Sequence, residues 1–152
     1  MKDVVARQYR ENVNAVREKL AGVQTPSEGW LCTMRKALGM SGSQLARRMD
    51  ITRGAISNFE KAEREGGVTL KTLQHLASAM NCRLVYAFVP EDDIDAVLMR
   101  RARKRANALV KEAGIHMELE DQALTLEKFE QEIDRVTKEL LEKRKSELWN
   151  DD

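Results

Sequence analysis

A mainly α-helical fold with one short β-strand and a C-terminal helical extension is predicted by three observations. Apolar residues recur at three- and four-residue spacing along most of the chain. Ser or Thr stands before several of these runs, and Gly or Asn follows them. Aromatic residues make up only 5% of the sequence, and there are two prolines, a profile that suits helices better than a β-sandwich or a disordered chain. At 152 residues the chain has room for one domain with a real core, or for one small domain and an appendage.

The elements follow in order. Residues 3–20 place Val5, Tyr9, Val13, Val16 and Leu20 near one side of a helix that Gly22 ends. Thr25-Pro26-Ser27-Glu28 reads as the start of a second helix, Thr25 capping and Glu28 closing a capping box, with its end near Leu38 and Gly39. Ser41-Gly42-Ser43-Gln44 is a second capping box, opening a helix that ends near Met49 with Asp50 in the left-handed turn position. Thr52 caps a helix over about 53–62, and Thr69 caps one that ends at Asn81.

The period then changes. Cys82–Val89 is β-branched and aromatic and Pro90 closes it, which predicts a short strand. A lone strand cannot satisfy its own backbone groups. Either it pairs with the same strand of a second copy, giving a homodimer, or it is an extended buried segment of a monomer. Past Pro90, Ile94, Leu98, Ala102, Ala106, Leu109 and Ala113 form a helical stripe that Gly114 ends. A last helix starts near Thr125, its seam Leu126, Phe129, Ile133, Val136 and Leu140 packing either on a second copy or on its own chain.

Charge is unevenly distributed. Residues 31–90 carry nine basic and four acidic groups; residues 114–152 carry six and twelve. A basic middle and an acidic end suggest two surfaces with different partners. The basic run Arg100–Arg105 grips phosphate, forms a solvated face or pairs with the acidic end.

The stretch Gly42–Lys61 carries the functional signal. Two helices crossing through a tight turn need a small residue at the crossing, and Ala46 is there. Leu45, Met49, Ile51, Ile56 and Phe59 take the core-facing positions, and Asp50 the turn. That leaves Thr52, Arg53, Ser57, Asn58 and Lys61 outward on the second helix, the one that enters a DNA major groove in a helix-turn-helix. Arg53 suits a guanine edge and Asn58 an adenine, while Ser57 suits a base or a phosphate. Gly54 and Ala55 allow close backbone approach. Ser41, Ser43 and Gln44 suit phosphate contacts at a helix start, and Lys61 and Arg64 add sequence-independent attraction. The expected partner is double-stranded DNA, bound by a dimer.

Residues 31–81 resemble the Cro/C1-type (Xre) helix-turn-helix family, whose core is similar to MSGSQLARRMDITRGAISNFE. Gly42 stands where that family often has glutamine, and Asp50 where it often has glycine. TPSEGWLCTMRKALGMSGSQLARRM, CRLVYAFVP, HMELEDQAL and the terminal SELW resemble the mobile mystery protein A family, over nearly the whole chain. Its members are typically encoded beside a Fic-domain protein. The resemblance therefore implies an antitoxin-like partnership with such a protein. The Ser/Thr-x-x-x-Glu-Gly/Asn motif by which some Fic antitoxins block ATP binding is missing, since Lys61 stands where Glu65-Gly66 would need a hydroxyl.

The reading divides the chain into an N-terminal helix (1–24), a five-helix-type helix-turn-helix domain (25–81), the strand (82–90) and a helical C-terminal extension (91–152). No apolar run approaches a membrane span and the start lacks a secretory core, so a cytoplasmic protein with Cys32 and Cys82 as reduced thiols is expected. His75 and His116 lie far apart with no zinc spacing, and there is no phosphate loop or nucleophile–base pair. The expectation is a transcriptional repressor that needs no metal or cofactor and is not an enzyme. The competing expectation is a protein-binding module acting through its acidic C-terminal helices.

Overall fold

The structure, a computed structural model, describes residues 2–119 and 125–150, with backbone only for residue 2 and residues 116–119. The His116 side chain and most of the HMELEDQAL run lie outside the described residues. Among the described residues, seven α-helices and a closing 3-10 turn fall into two compact units.

The first unit, residues 22–87, holds α2 (Trp30–Ala37), α3 (Gly42–Met49), α4 (Arg53–Glu65) and α5 (Leu70–Ala79). Each of the last three helices begins where the sequence predicts. The Ser41 hydroxyl accepts from Gln44 N at 3.1 Å while the Gln44 side chain accepts from Ser41 N at 2.7 Å. Thr52 and Thr69 accept from Ala55 N and Thr72 N in the same way. Each such cap is worth about 1 kcal/mol. Leu31, Leu45, Ala46, Ile56, Leu76 and Met80 form the core, with Met34, Met40, Met49, Ile51 and Phe59 packed around it.

The start of α2 differs from expectation. Thr25 and Glu28 do not cap it. Gly29 is its N-cap, and a turn from Pro26 O to Gly29 N precedes it. The cap oxygens come instead from Glu63 of α4, which accepts from Trp30 N at 2.8 Å and Leu31 N at 2.9 Å. Glu28 pairs with Lys36.

The second correction concerns the strand predicted at 82–90. Among the described residues there is no β-strand, and residues 82–90 have no regular structure. The composition favours a pleated chain, but a ladder needs a paired neighbour, and among the described residues no segment pairs with this one. Among the described residues, the backbone of Cys82 alone in this segment is tied back, its N–H donating to Ala77 O.

The second unit joins α1 (Lys2–Leu20) to α6 (Ile94–Leu119), α7 (Leu126–Lys143) and the 3-10 turn Lys145–Trp149. Asn14 of α1 accepts from Ile94 N at 2.9 Å, Asp93 accepts from Asp95 N and Ala96 N, and Arg10 pairs with Asp95 at 3.0 Å. Val13, Val16 and Leu20 are half-buried, whereas Val5 and Tyr9 are exposed. Ala102, Ala106, Val110, Ile133, Leu140 and Leu148 make the core, so Phe129, Ile133, Val136 and Leu140 of the α7 seam pack on their own chain, whereas Leu126, the first residue of the predicted seam, is exposed. Helix α6 does not stop at Gly114. It runs on to Leu119, and Gly114 serves a close approach: a Cβ there would lie 2.6 Å from Phe129 Cζ.

Three members of the basic run of α6 find partners inside this unit. Arg100 pairs with Asp92, and Arg103 with Asp134 at 2.7 Å and Glu130 at 3.1 Å. Arg101 donates to Leu148 O and lies 4.3 Å from the Trp149 ring centre. Hydrogen bonds from Arg100, Arg135 and Arg144 hold Asp92, Glu132 and Glu147 respectively below the usual carboxylate range. A lowered folded-state pKa contributes stability above the unfolded value, about 4, that is lost as pH falls through the folded one. We expect the melting midpoint of this unit, followed by circular dichroism, to drop on acidification below about pH 4. High salt should flatten the drop, because the pairs are exposed. An unchanged midpoint at pH 3 would contradict it.

Candidate nucleic-acid interface

Helix α4 has two working faces. On the inner one lie Ile56, Phe59, Glu60 and Glu63. The Arg35 guanidinium of α2 grips Glu60 through two bonds, Nε to Oε1 at 2.6 Å and Nη2 to Oε2 at 3.2 Å, while its Nη1 donates to Met40 O at 3.0 Å. The two side chains are only 15% and 13% exposed, and the bond from Glu60 raises the Arg35 guanidinium above its ordinary range. With Glu63 on the first N–H groups of α2, this pins α4 against α2 at two successive turns. None of Arg35, Glu60 and Glu63 was singled out from sequence. The one signal available was two carboxylates three apart on the apolar side of a helix.

Against that anchored face, the other side of α4 is open. Thr52, Arg53, Gly54, Ser57, Asn58 and Lys61 are exposed, and Ala55 is half-buried. Arg53, Ser57 and Lys61 follow at four-residue steps, so they share a stripe. Arg53 makes no ion pair among the described residues, whereas Lys61 has only a distant contact with Glu65 at 3.9 Å, both exposed. An unpaired guanidinium beside a helix start keeps all its donors for a ligand. Room around Gly54 is ample, since a Cβ there would meet only Thr52 Oγ1, at 3.9 Å.

Ser41, Ser43 and Gln44, all exposed, stand at the start of α3. A Cβ on Gly42 would lie 3.8 Å from Arg53 Cγ, so the starts of α3 and α4 adjoin. The capping box uses the Ser41 hydroxyl and the Gln44 amide oxygen as acceptors. What remains outward is the Ser41 O–H and the Gln44 amide NH2. Both are donors, the polarity a phosphate requires. The ten residues named from sequence thus gather on two adjoining helix starts and one helix stripe.

The turn between the helices uses Asp50 at φ 55°, ψ 45°, with Ile51 N donating to Ala46 O. Ala46, 3% exposed, fills the crossing. A left-handed residue other than glycine costs about 1 kcal/mol, less for Asp than for most. Asp50→Gly should therefore raise unfolding stability by about 0.5 kcal/mol or leave it unchanged; a loss above about 1 kcal/mol in urea denaturation would show that the Asp side chain carries the turn.

Residues 33–86 match the family model for the helix-turn-helix, the domain type of DNA-binding transcription regulators. No curated protein and no solved structure matches the chain. No helix among the described residues is long and apolar enough to cross a membrane.

Proposed function

We propose that this protein is a sequence-specific transcriptional repressor that binds its own upstream DNA as a homodimer in the cytosol. The observation that carries this reading is the anchored, two-faced α4. Its inner face is bolted to α2, and its outer stripe presents Arg53, Ser57, Asn58 and Lys61 to solvent beside the donor-rich start of α3. Two copies place two such helices about one DNA turn apart on a pseudo-palindromic site. Arg53 reads a guanine edge, Asn58 an adenine, and Ser41, Ser43 and Gln44 hold phosphate. Occupancy over a promoter excludes polymerase.

Arg53→Ala should weaken binding about tenfold to a hundredfold per half-site and relax base preference at one position. Footprinting of the upstream region tests autoregulation: protection of a two-fold-related pair of half-sites supports it, and an unprotected region would sink it.

The resemblance to the mobile mystery protein A family adds an antitoxin-like partnership with a Fic-domain protein, tested by co-purification of the two gene products. Among the described residues of the acidic C-terminal helices, Glu130, Glu132, Asp134, Glu139 and Glu147 pair with Arg103, Arg135 and Arg144.

A further inference from the structure

The segment Arg83–Pro90 is unusual for an irregular one. Val85, Tyr86, Phe88 and Val89 are 68%, 66%, 88% and 47% exposed. Among the described residues, no backbone–backbone hydrogen bond involves residues 83–90. A run of large apolar side chains on unpaired backbone is a template for another chain.

The sequence of this run is complementary to itself. When two identical antiparallel segments are related by a two-fold axis normal to their ladder, one residue must face its own copy, because directly opposed residues share a face and neighbours alternate. Centred on Ala87, the register sets Tyr86 opposite Phe88, Val85 opposite Val89, Leu84 opposite Pro90 and Arg83 opposite Glu91. Aromatic, β-branched and opposite-charge pairs are the ones that stabilise a ladder. Shifting the centre to Tyr86 puts Arg83 opposite Val89, and shifting it to Phe88 puts Glu91 opposite Val85. Pro90 fixes the remaining choice. Having no N–H, it belongs in a non-hydrogen-bonded pair. Pair types alternate, so Tyr86–Phe88 is then also of the close, non-hydrogen-bonded type, and Ala87–Ala87 is hydrogen-bonded.

We propose that residues 83–91 of two copies pair antiparallel about a two-fold axis at Ala87, and that this is the dimer contact. The inference rests on the homodimer reading above and names its interface. It concerns a ladder between chains; within one chain the segment stays without a strand.

Five cysteine and charge variants test it, with no DNA present. Ala87→Cys should oxidise to a disulfide dimer, since hydrogen-bonded pairs hold Cα atoms about 5.5 Å apart. Mass spectrometry should find tryptic peptide 84–100 linked to itself. Val85→Cys should not link to itself, but should link to Val89→Cys when the two are mixed. Arg83→Glu should weaken the dimer roughly tenfold in sedimentation equilibrium, two pairs being lost. Adding Glu91→Arg to the same chain should restore it to within about threefold of wild type. Val85→Cys self-linking as readily as Ala87→Cys would overturn the register. A double charge variant weaker than Arg83→Glu would do the same. A wild-type chain that stays monomeric would overturn the interface altogether. Binding to a half-site duplex, measured separately, keeps the readings apart: a monomer that selects its half-site retains the DNA reading and loses this one, and a dimer that ignores DNA does the reverse.

Discussion

Glu60→Ala is expected to bring residues 22–87 to the edge of unfolding, with a loss of about 3–5 kcal/mol. The carboxylate takes two bonds from the Arg35 guanidinium, and both partners are largely shielded from water. Removing it leaves a cation with its Nη1 still on Met40 O but no counter-charge. A small domain has about 5–15 kcal/mol in total, so losing this two-bond ion pair removes a large share of it and loosens α4 from α2. Glu60→Gln, which keeps the shape and one acceptor, should lose less. Urea denaturation followed by circular dichroism measures both; a loss under about 1 kcal/mol for Glu60→Ala would mean that the apolar core alone holds α4.

Gly29→Ala is the second large effect. Gly29 sits at φ 83°, ψ 160°, a region reserved for glycine, which alone costs another residue about 1–3 kcal/mol. A Cβ there would also stand 2.8 Å from Glu63 Oε2. That carboxylate caps Trp30 N and Leu31 N, so it cannot yield without uncapping α2. We expect about 2–4 kcal/mol in all. Glu63→Ala should relieve the clash while losing the cap. The double variant Gly29→Ala with Glu63→Ala should therefore cost less than the sum of the singles. Strict additivity would contradict a direct contact.

These two positions mark the limit of what the sequence makes legible. Caps by Ser41, Thr52, Thr69 and Thr125 act within three residues, so pattern alone places the starts of four helices. The same locality reveals Asp50 as the turn and Ala46 as the crossing. It does not reveal Glu63 reaching back more than thirty residues to α2, nor Arg35 meeting Glu60, because a carboxylate on a helix reads locally as solvated. Local reasoning also misled at Gly114, where glycine signals a stop unless a ring such as Phe129 lies over it, and at Thr25–Glu28, whose cap pattern lost to a distant carboxylate. The strand expected at 82–90 failed for a related reason. Propensity belongs to the segment, but a ladder belongs to a pair.

The candidate interface was legible because its residues are defined by what they do not do. Arg53, Ser57, Asn58 and Lys61 fall off the apolar stripe, and the fold leaves them outward. Their surroundings were not legible. That Gln44 spends its oxygen on the Ser41 N–H and keeps its NH2 outward follows only from the geometry of the box.

The most direct test is fluorescence anisotropy of the protein with its own upstream duplex and a shuffled duplex, across a salt series, for wild type and Arg53→Ala. Wild type should bind its own duplex selectively, with a log–log salt slope set by several phosphate contacts, and Arg53→Ala should lose selectivity while retaining most of the slope. Equal binding of both duplexes by wild type, or an Arg53→Ala protein as selective as wild type, would contradict the assignment of α4 as the reading helix.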